Sequence, residues 1–104
     1  MTATVKILIN TEPNRRNKLA DAELHFNGGE LDGLKLIGFA VWKRTNGEGV
    51  SVTVPARQFT VHGERRDFML IRPIEDPEAV HRMRRAILAA YEAVTQSSEP
   101  LVSH

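Results

Sequence analysis

Leu34-Lys35-Leu36-Ile37-Gly38-Phe39-Ala40-Val41-Trp42-Lys43 is the stretch whose reading decides the fold. Apolar side chains stand on both parities: Leu34, Leu36, Ala40 and Trp42 on one, Ile37, Phe39 and Val41 on the other. A helix competes for such a run. Gly38 and the crowd of bulky side chains favour a strand, and apolar residues on both parities read as a strand buried on both faces. Thr45-Asn46-Gly47-Glu48-Gly49 is then a hairpin turn. In the returning strand Val50, Val52 and Val54 alternate with Ser51 and Thr53, until Pro55, which cannot donate to a ladder, ends it.

Working outward, residues 19–26 place Ala20, Ala22, Leu24 and Phe26 on one face and Leu19, Asp21, Glu23 and His25 on the other. That alternation describes one buried and one wet face of an antiparallel sheet. Asn27-Gly28-Gly29 breaks the chain after it. Residues 4–10 form an earlier strand around Val5, Ile7 and Ile9, and residues 11–17 carry turn chemistry, with Arg15, Arg16 and Lys18 projecting from a loop tip. Beyond Pro55, residues 56–62 read as a loop or short irregular strand. Gly63-Glu64-Arg65 reads as a turn, and residues 67–72 as the last strand.

A helix closes the domain. Asp76 is placed as its N-cap, Pro77 fits the first helical position and Glu78 complements the dipole. Val80, Met83, Ile87, Tyr91 and Val94 then recur every three to four residues, with Ala90 filling in. The stripe ends near Val94 or Thr95, leaving residues 96–104 as a flexible polar tail. The expectation is one α+β domain over residues 1–95, an antiparallel sheet of about five strands with one long C-terminal helix. Five strands about 4.8 Å apart are wider than one helix can cover. The uncovered apolar surface of residues 34–42 predicts a homodimer.

The 104 residues contain no cysteine, which removes disulfides, thiolate metal sites and cysteine nucleophiles together. The serines are Ser51, inside a strand, and Ser97, Ser98 and Ser103 in the tail; none lies on a nucleophile elbow. His25, His62, His81 and His104 are far apart, and the residue one turn beyond His81 is the cation Arg85. Asp21 and Glu23 share a face with His25, but read as a solvated strand face. Gly47-Glu48-Gly49 lacks the helix and third glycine of a dinucleotide loop. The sequence therefore predicts no catalytic residue, metal ligand, cofactor or small-molecule substrate, and no enzyme. No apolar run approaches the roughly 18 residues of a membrane span, and Ile7-Leu8-Ile9 is too short for a signal-peptide core. A cytoplasmic protein without a membrane partner is expected.

The formal net charge of +1 conceals a pattern. Residues 35–72 hold seven basic side chains (Lys35, Lys43, Arg44, Arg57, Arg65, Arg66 and Arg72) against Glu48, Glu64 and Asp67, a net +4 between mildly acidic flanks. Such a block meets phosphate even in a nearly neutral chain. Lys43 and Arg44 abut the hairpin turn, Arg57 follows Pro55, Arg65 and Arg66 sit at the next turn, and the helix adds Arg82, Arg84 and Arg85. These eight are the candidate nucleic-acid-binding residues. Helical spacing puts Arg82 with Arg85 on one exposed side and Arg84 across the stripe. Trp42, Phe59 and His62 are candidates for stacking on bases.

The order of motifs resembles the stage V sporulation protein G (SpoVG) family of septation regulators. The apolar strand at residues 36–39 leads into a hairpin, then Val52-Thr53-Val54-Pro55-Ala56-Arg57, Gly63, Asp67, Arg72-Pro73-Ile74 and a helix with a late Tyr91. Pro55, Arg57, Gly63, Asp67, Pro73, Ile74 and Tyr91 match the family's pattern, over roughly residues 19–94. Val54, Ala56 and Arg72 stand where the family usually has Met, Ser and His. The resemblance implies a SpoVG-like fold and a small dimeric bacterial regulator that binds DNA and RNA. The alternative is a protein-interaction or scaffold module that does not touch nucleic acid, for which the apolar surplus of residues 34–42 is the motive.

Overall fold

The computed structural model describes residues 2–11, 17–45 and 47–102, with side chains described through Gln96. The expected loop tip with Arg15 and Arg16, the turn residue Asn46, and the side chains of Ser97, Ser98, Ser103 and His104 lie outside the described residues. In chain order the elements are β1 (Thr2–Ile9), β2 (Lys18–Asn27), β3 (Lys35–Lys43), β4 (Val50–Thr53), β5 (Ala56–Val61), β6 (Glu64–Met69) and α1 (Glu78–Val102), with a 3₁₀ turn at Gly29–Leu31. The class is α+β, with antiparallel sheets and a C-terminal helix, as the sequence predicts.

The strands are arranged differently from the single five-stranded sheet expected. β1 to β4 form a four-stranded meander, and β5 and β6 form a separate two-stranded ribbon. Residues 56–61, read as a loop or irregular strand, are β5, and the last strand starts at Glu64 and ends at Met69. The turn is consequently His62-Gly63, closed by the Val61–Glu64 pair. Both turn residues have positive φ, 53° and 80°, which matches the right-handed twist of a tight ribbon. Pro55, lacking an N–H, interrupts the path from β4 into β5, and Leu70 N donates to Pro55 O at 2.9 Å to close the ribbon's base. Lys18 belongs to β2 rather than a loop tip, and it pairs with Asp21.

The double parity of residues 34–43 has a cause other than burial on both faces. Leu24 pairs with Leu36 and Ala22 with Phe39, so β3 carries one extra residue opposite Glu23. This bulge lies at Ile37-Gly38, where Gly38 has φ 107°. A one-residue insertion exchanges inward and outward positions. Leu36 before the bulge, and Phe39 and Val41 after it, therefore reach the same core face. On the other side Ala40 is buried and Trp42 half-buried, but Ile37 is 59% exposed. The strand expected to be buried on both faces thus buries mainly one.

That core face gathers Ala20, Ala22, Leu24, Phe39, Val41 and Val54 beneath Ile87 of α1, with Val5, Ile7, Met83 and Tyr91 packed around them. Phe39, Val41 and Ile87 have no exposed surface. Each such side chain contributes about 1.5–3 kcal/mol of burial. α1 meets both outer strands, β1 and β4, and so lies across the meander. Asp76 caps it as expected: its Oδ1 accepts from Glu78 N at 3.0 Å, and its Oδ2 from Arg82 Nη1 at 3.1 Å. The helix runs to Val102, past the end near Thr95 that the sequence predicts. From Gln96 to Glu99 nothing in the sequence stops a helix, and the first proline is Pro100.

The Glu78 amide, and then the Arg82 guanidinium, hold the Asp76 carboxyl below its ordinary value of 3.8. A depressed carboxylate stabilises the fold fully above that value, and the contribution is lost as pH falls through the lower folded-state value. Thermal unfolding followed by circular dichroism at about pH 6 and about pH 3 should therefore lose less stability in Asp76→Asn than in wild type, since Asn still caps but cannot titrate. An identical acid response in the two proteins would remove this role for Asp76.

Candidate nucleic-acid interface

β4 is one of the two outer strands of the meander. Its inner edge pairs with β3, and Arg44 N donates to Gly49 O just beyond the ladder. The alternation of an antiparallel pair then turns the backbone groups of Val50 and Val52 outward, away from β3. Arg44 Nε donates to Val50 O at 3.3 Å on that open edge. Against the same edge α1 sets Arg84 and Arg85. Together with Val50, Ser51, Val52 and Leu88, the three arginines line an open cleft of about 250 Å³.

Arg84 is half-buried, and its Nε is shielded from solvent with no hydrogen-bond partner among the described residues. A buried unsatisfied donor costs about 1–3 kcal/mol, more for a charged group. An anion in the cleft would meet the guanidinium groups of Arg44, Arg84 and Arg85 together. Arginine suits this task because its planar fork pairs with phosphate oxygens two at a time.

The structure thus brings three of the eight candidates together and leaves five elsewhere. Arg85 sides with Arg84, not with Arg82, whose guanidinium is engaged by Asp76 at the start of the helix. Lys43 is exposed at the end of β3 and is not part of the cleft lining. Arg57, Arg65 and Arg66 all lie on the ribbon, exposed, with Arg66 bonded to Glu64 at 3.3 Å. Of the stacking candidates, Trp42 is half-buried on the outer sheet face. Its Nε1 donates to Thr53 Oγ1 at 2.8 Å, and Lys18 Nζ stands 6.0 Å from its ring. Phe59 is 39% exposed on the ribbon, and His62 is exposed in its turn. Arg72, counted in the basic block but not among the eight candidates, holds its guanidinium carbon 4.4 Å over the Phe68 ring.

On the outer face of the meander, Glu23 Oε1 is 2.8 Å from His25 Nε2 and 3.3 Å from Lys35 Nζ. These two partners, His25 foremost, hold the Glu23 carboxyl below its ordinary value. Asp21 is not part of this group, being tied to Lys18. A depression of about 400 Å³ nearby is lined by His25, Asn27, Asp32 and Lys35 but by neither Asp21 nor Glu23, so the two carboxylates do not join the histidine in this depression. Among the described residues no group of three or more His, Asp and Glu side chains is placed to hold a metal ion. Likewise, no described helix is long and apolar enough to cross a membrane. Comparison with family models, with curated proteins and with solved structures finds no match for this chain.

Proposed function

We propose that this chain is a small regulatory protein that binds nucleic acid, of the kind its resemblance to the SpoVG family implies, and that it acts as a cytoplasmic homodimer. The observation that carries the reading is the convergence of Arg44, Arg84 and Arg85 on the open edge of β4, with the Arg84 Nε left unsatisfied. Three guanidinium groups and outward backbone amides present a site for phosphate, and a phosphate backbone offers successive anions to it. The homodimer is supported by exposed apolar surface: Ile74 is 98% and Leu70 60% exposed on the connection into α1. Ile74 also lines an open depression of about 550 Å³, with Arg72, Pro73, Asp76 and Ala79. The same surface favours the second reading, a scaffold that docks a different protein.

Fluorescence anisotropy with labelled single- and double-stranded DNA and RNA tests the proposal. Affinity should fall steeply between about 50 and 200 mM salt, with a logarithmic slope near −0.7 to −0.9 per phosphate neutralised. Light scattering on the eluted protein should give twice the 11.7 kDa chain mass. Salt-insensitive or absent binding together with a monomeric mass would rule the proposal out. Absent binding with capture of a stable protein partner would favour the scaffold.

A further inference from the structure

The β5–β6 ribbon carries a second surface, distinct from the arginine cleft. Strand periodicity puts alternate residues on one face, and cross-strand partners share it. Arg57 stands opposite Phe68, and Phe59 opposite Arg66. Two Arg-x-Phe triplets, Arg57-Gln58-Phe59 and Arg66-Asp67-Phe68, therefore superimpose their arginines and phenylalanines on the same side of the ribbon, in a chequered pattern. Arg72 joins them through its guanidinium over the Phe68 ring. Phe59 and Phe68 remain 39% and 45% exposed. They sit on a diagonal of the ladder, about 7–8 Å apart at the backbone.

Exposed rings alternating with cations fit one occupant best. A second copy of this face would crowd two sets of Arg57, Arg66 and Arg72 into one interface, with Glu64 the one acidic residue in the rows that share the face. An anionic partner meets no such repulsion. Duplex nucleic acid presents phosphates but keeps its base faces stacked inside, whereas a single strand offers phosphates and free base faces together. A guanidinium plane held over a ring extends the stacking surface for such a base.

Resting on the nucleic-acid reading above, the geometry points to the Phe59–Phe68 face of the ribbon as a stacking platform for unpaired bases, which makes single strands the preferred class of ligand. The test compares labelled oligo(dT) with a labelled duplex of equal length, using the full chain and the double variant Phe59→Leu/Phe68→Leu. Circular dichroism verifies that the variant is folded, and both rings are partly exposed already. Wild type should bind the single strand more tightly. The double variant should lose about tenfold or more in single-strand affinity while changing less than about twofold on the duplex. Ultraviolet cross-linking of oligo(dT) should label peptides containing Phe59 or Phe68.

Equal affinity of wild type and variant for oligo(dT), with binding itself intact, overturns the platform and leaves the nucleic-acid reading standing. Failure of wild type to bind either probe overturns both. Conversion of a dimer to a monomer by the double variant, seen by light scattering, assigns the face to a copy-to-copy contact and overturns the platform.

Discussion

Replacing Arg44, Arg84 and Arg85 together by alanine should lower nucleic-acid affinity by about two orders of magnitude or more, for single and double strands alike. A hydrogen bond to a charged group contributes about 1.5–3 kcal/mol, and about 1.4 kcal/mol corresponds to tenfold in affinity. The slope of log affinity against log salt should flatten by about 0.7–0.9 for each phosphate released. Stability should move differently from binding. Arg84 holds a shielded Nε with no partner among the described residues, so Arg84→Ala removes an unsatisfied donor, and the variant is expected to unfold at the same or higher denaturant concentration. Arg82→Ala is the comparison. Its guanidinium is held by Asp76 outside the cleft, and its affinity should change least. A triple variant that binds with wild-type affinity and slope would show that the cleft is not the interface.

Gly38→Val should damage the fold severely, costing about 3–4 kcal/mol or more. Two effects add. Gly38 has φ 107°, a conformation that a β-branched residue adopts only under strain. A Cβ placed there would also lie 2.8 Å from the Cβ of Pro55 and 3.4 Å from its Cα. Pro55 is buried, so it cannot swing aside as a surface side chain would. The midpoint of thermal unfolding should fall by about 15 °C or more, since a domain of this size loses about 4–8 °C per kcal/mol. Gly47→Ala is the contrasting change. No atom lies within 4 Å of a Cβ at that position, and its midpoint should barely move. If Gly38→Val melted with Gly47→Ala, the bulge would not be the fixed feature described.

These two sites show how unevenly the sequence disclosed the molecule. Wherever a single strong local signal acted, the reading was clear: the Asp76-Pro77-Glu78 start of α1, the alternation of Ala20, Ala22 and Leu24, and the turn before Val50. Residues 56–61 were obscure because their apolar alternation is thin. Only Phe59 and Val61 are bulky there, and all but Val61 are exposed in the folded chain. Of the candidate arginines, each was visible as a cation beside a turn or on a helix. Their grouping was not, because helical spacing alone pairs Arg82 with Arg85 and cannot register the capping carboxylate that takes Arg82 away. The ribbon's Arg-x-Phe repeat was legible in principle. It acquires meaning only once β5 and β6 are known to pair with Phe59 opposite Arg66.

What the sequence by itself determined is what short-range chemistry enforces. The absence of cysteine, the α+β order of strands before a helix, the helix start and the basic middle block all follow from residue identity and spacing over a few positions. Only the tertiary structure decided that the strands divide into a meander and a ribbon, that a bulge at Gly38 brings Leu36, Phe39 and Val41 to one face, and that Arg44, Arg84 and Arg85 meet. The physical reason is that register is a property of two strands at once. One extra residue opposite Glu23 exchanges inside and outside along β3, and the approach of Arg44 to α1 depends on how β4 and the helix share the core around Ile87. No window of sequence contains both partners of such a contact.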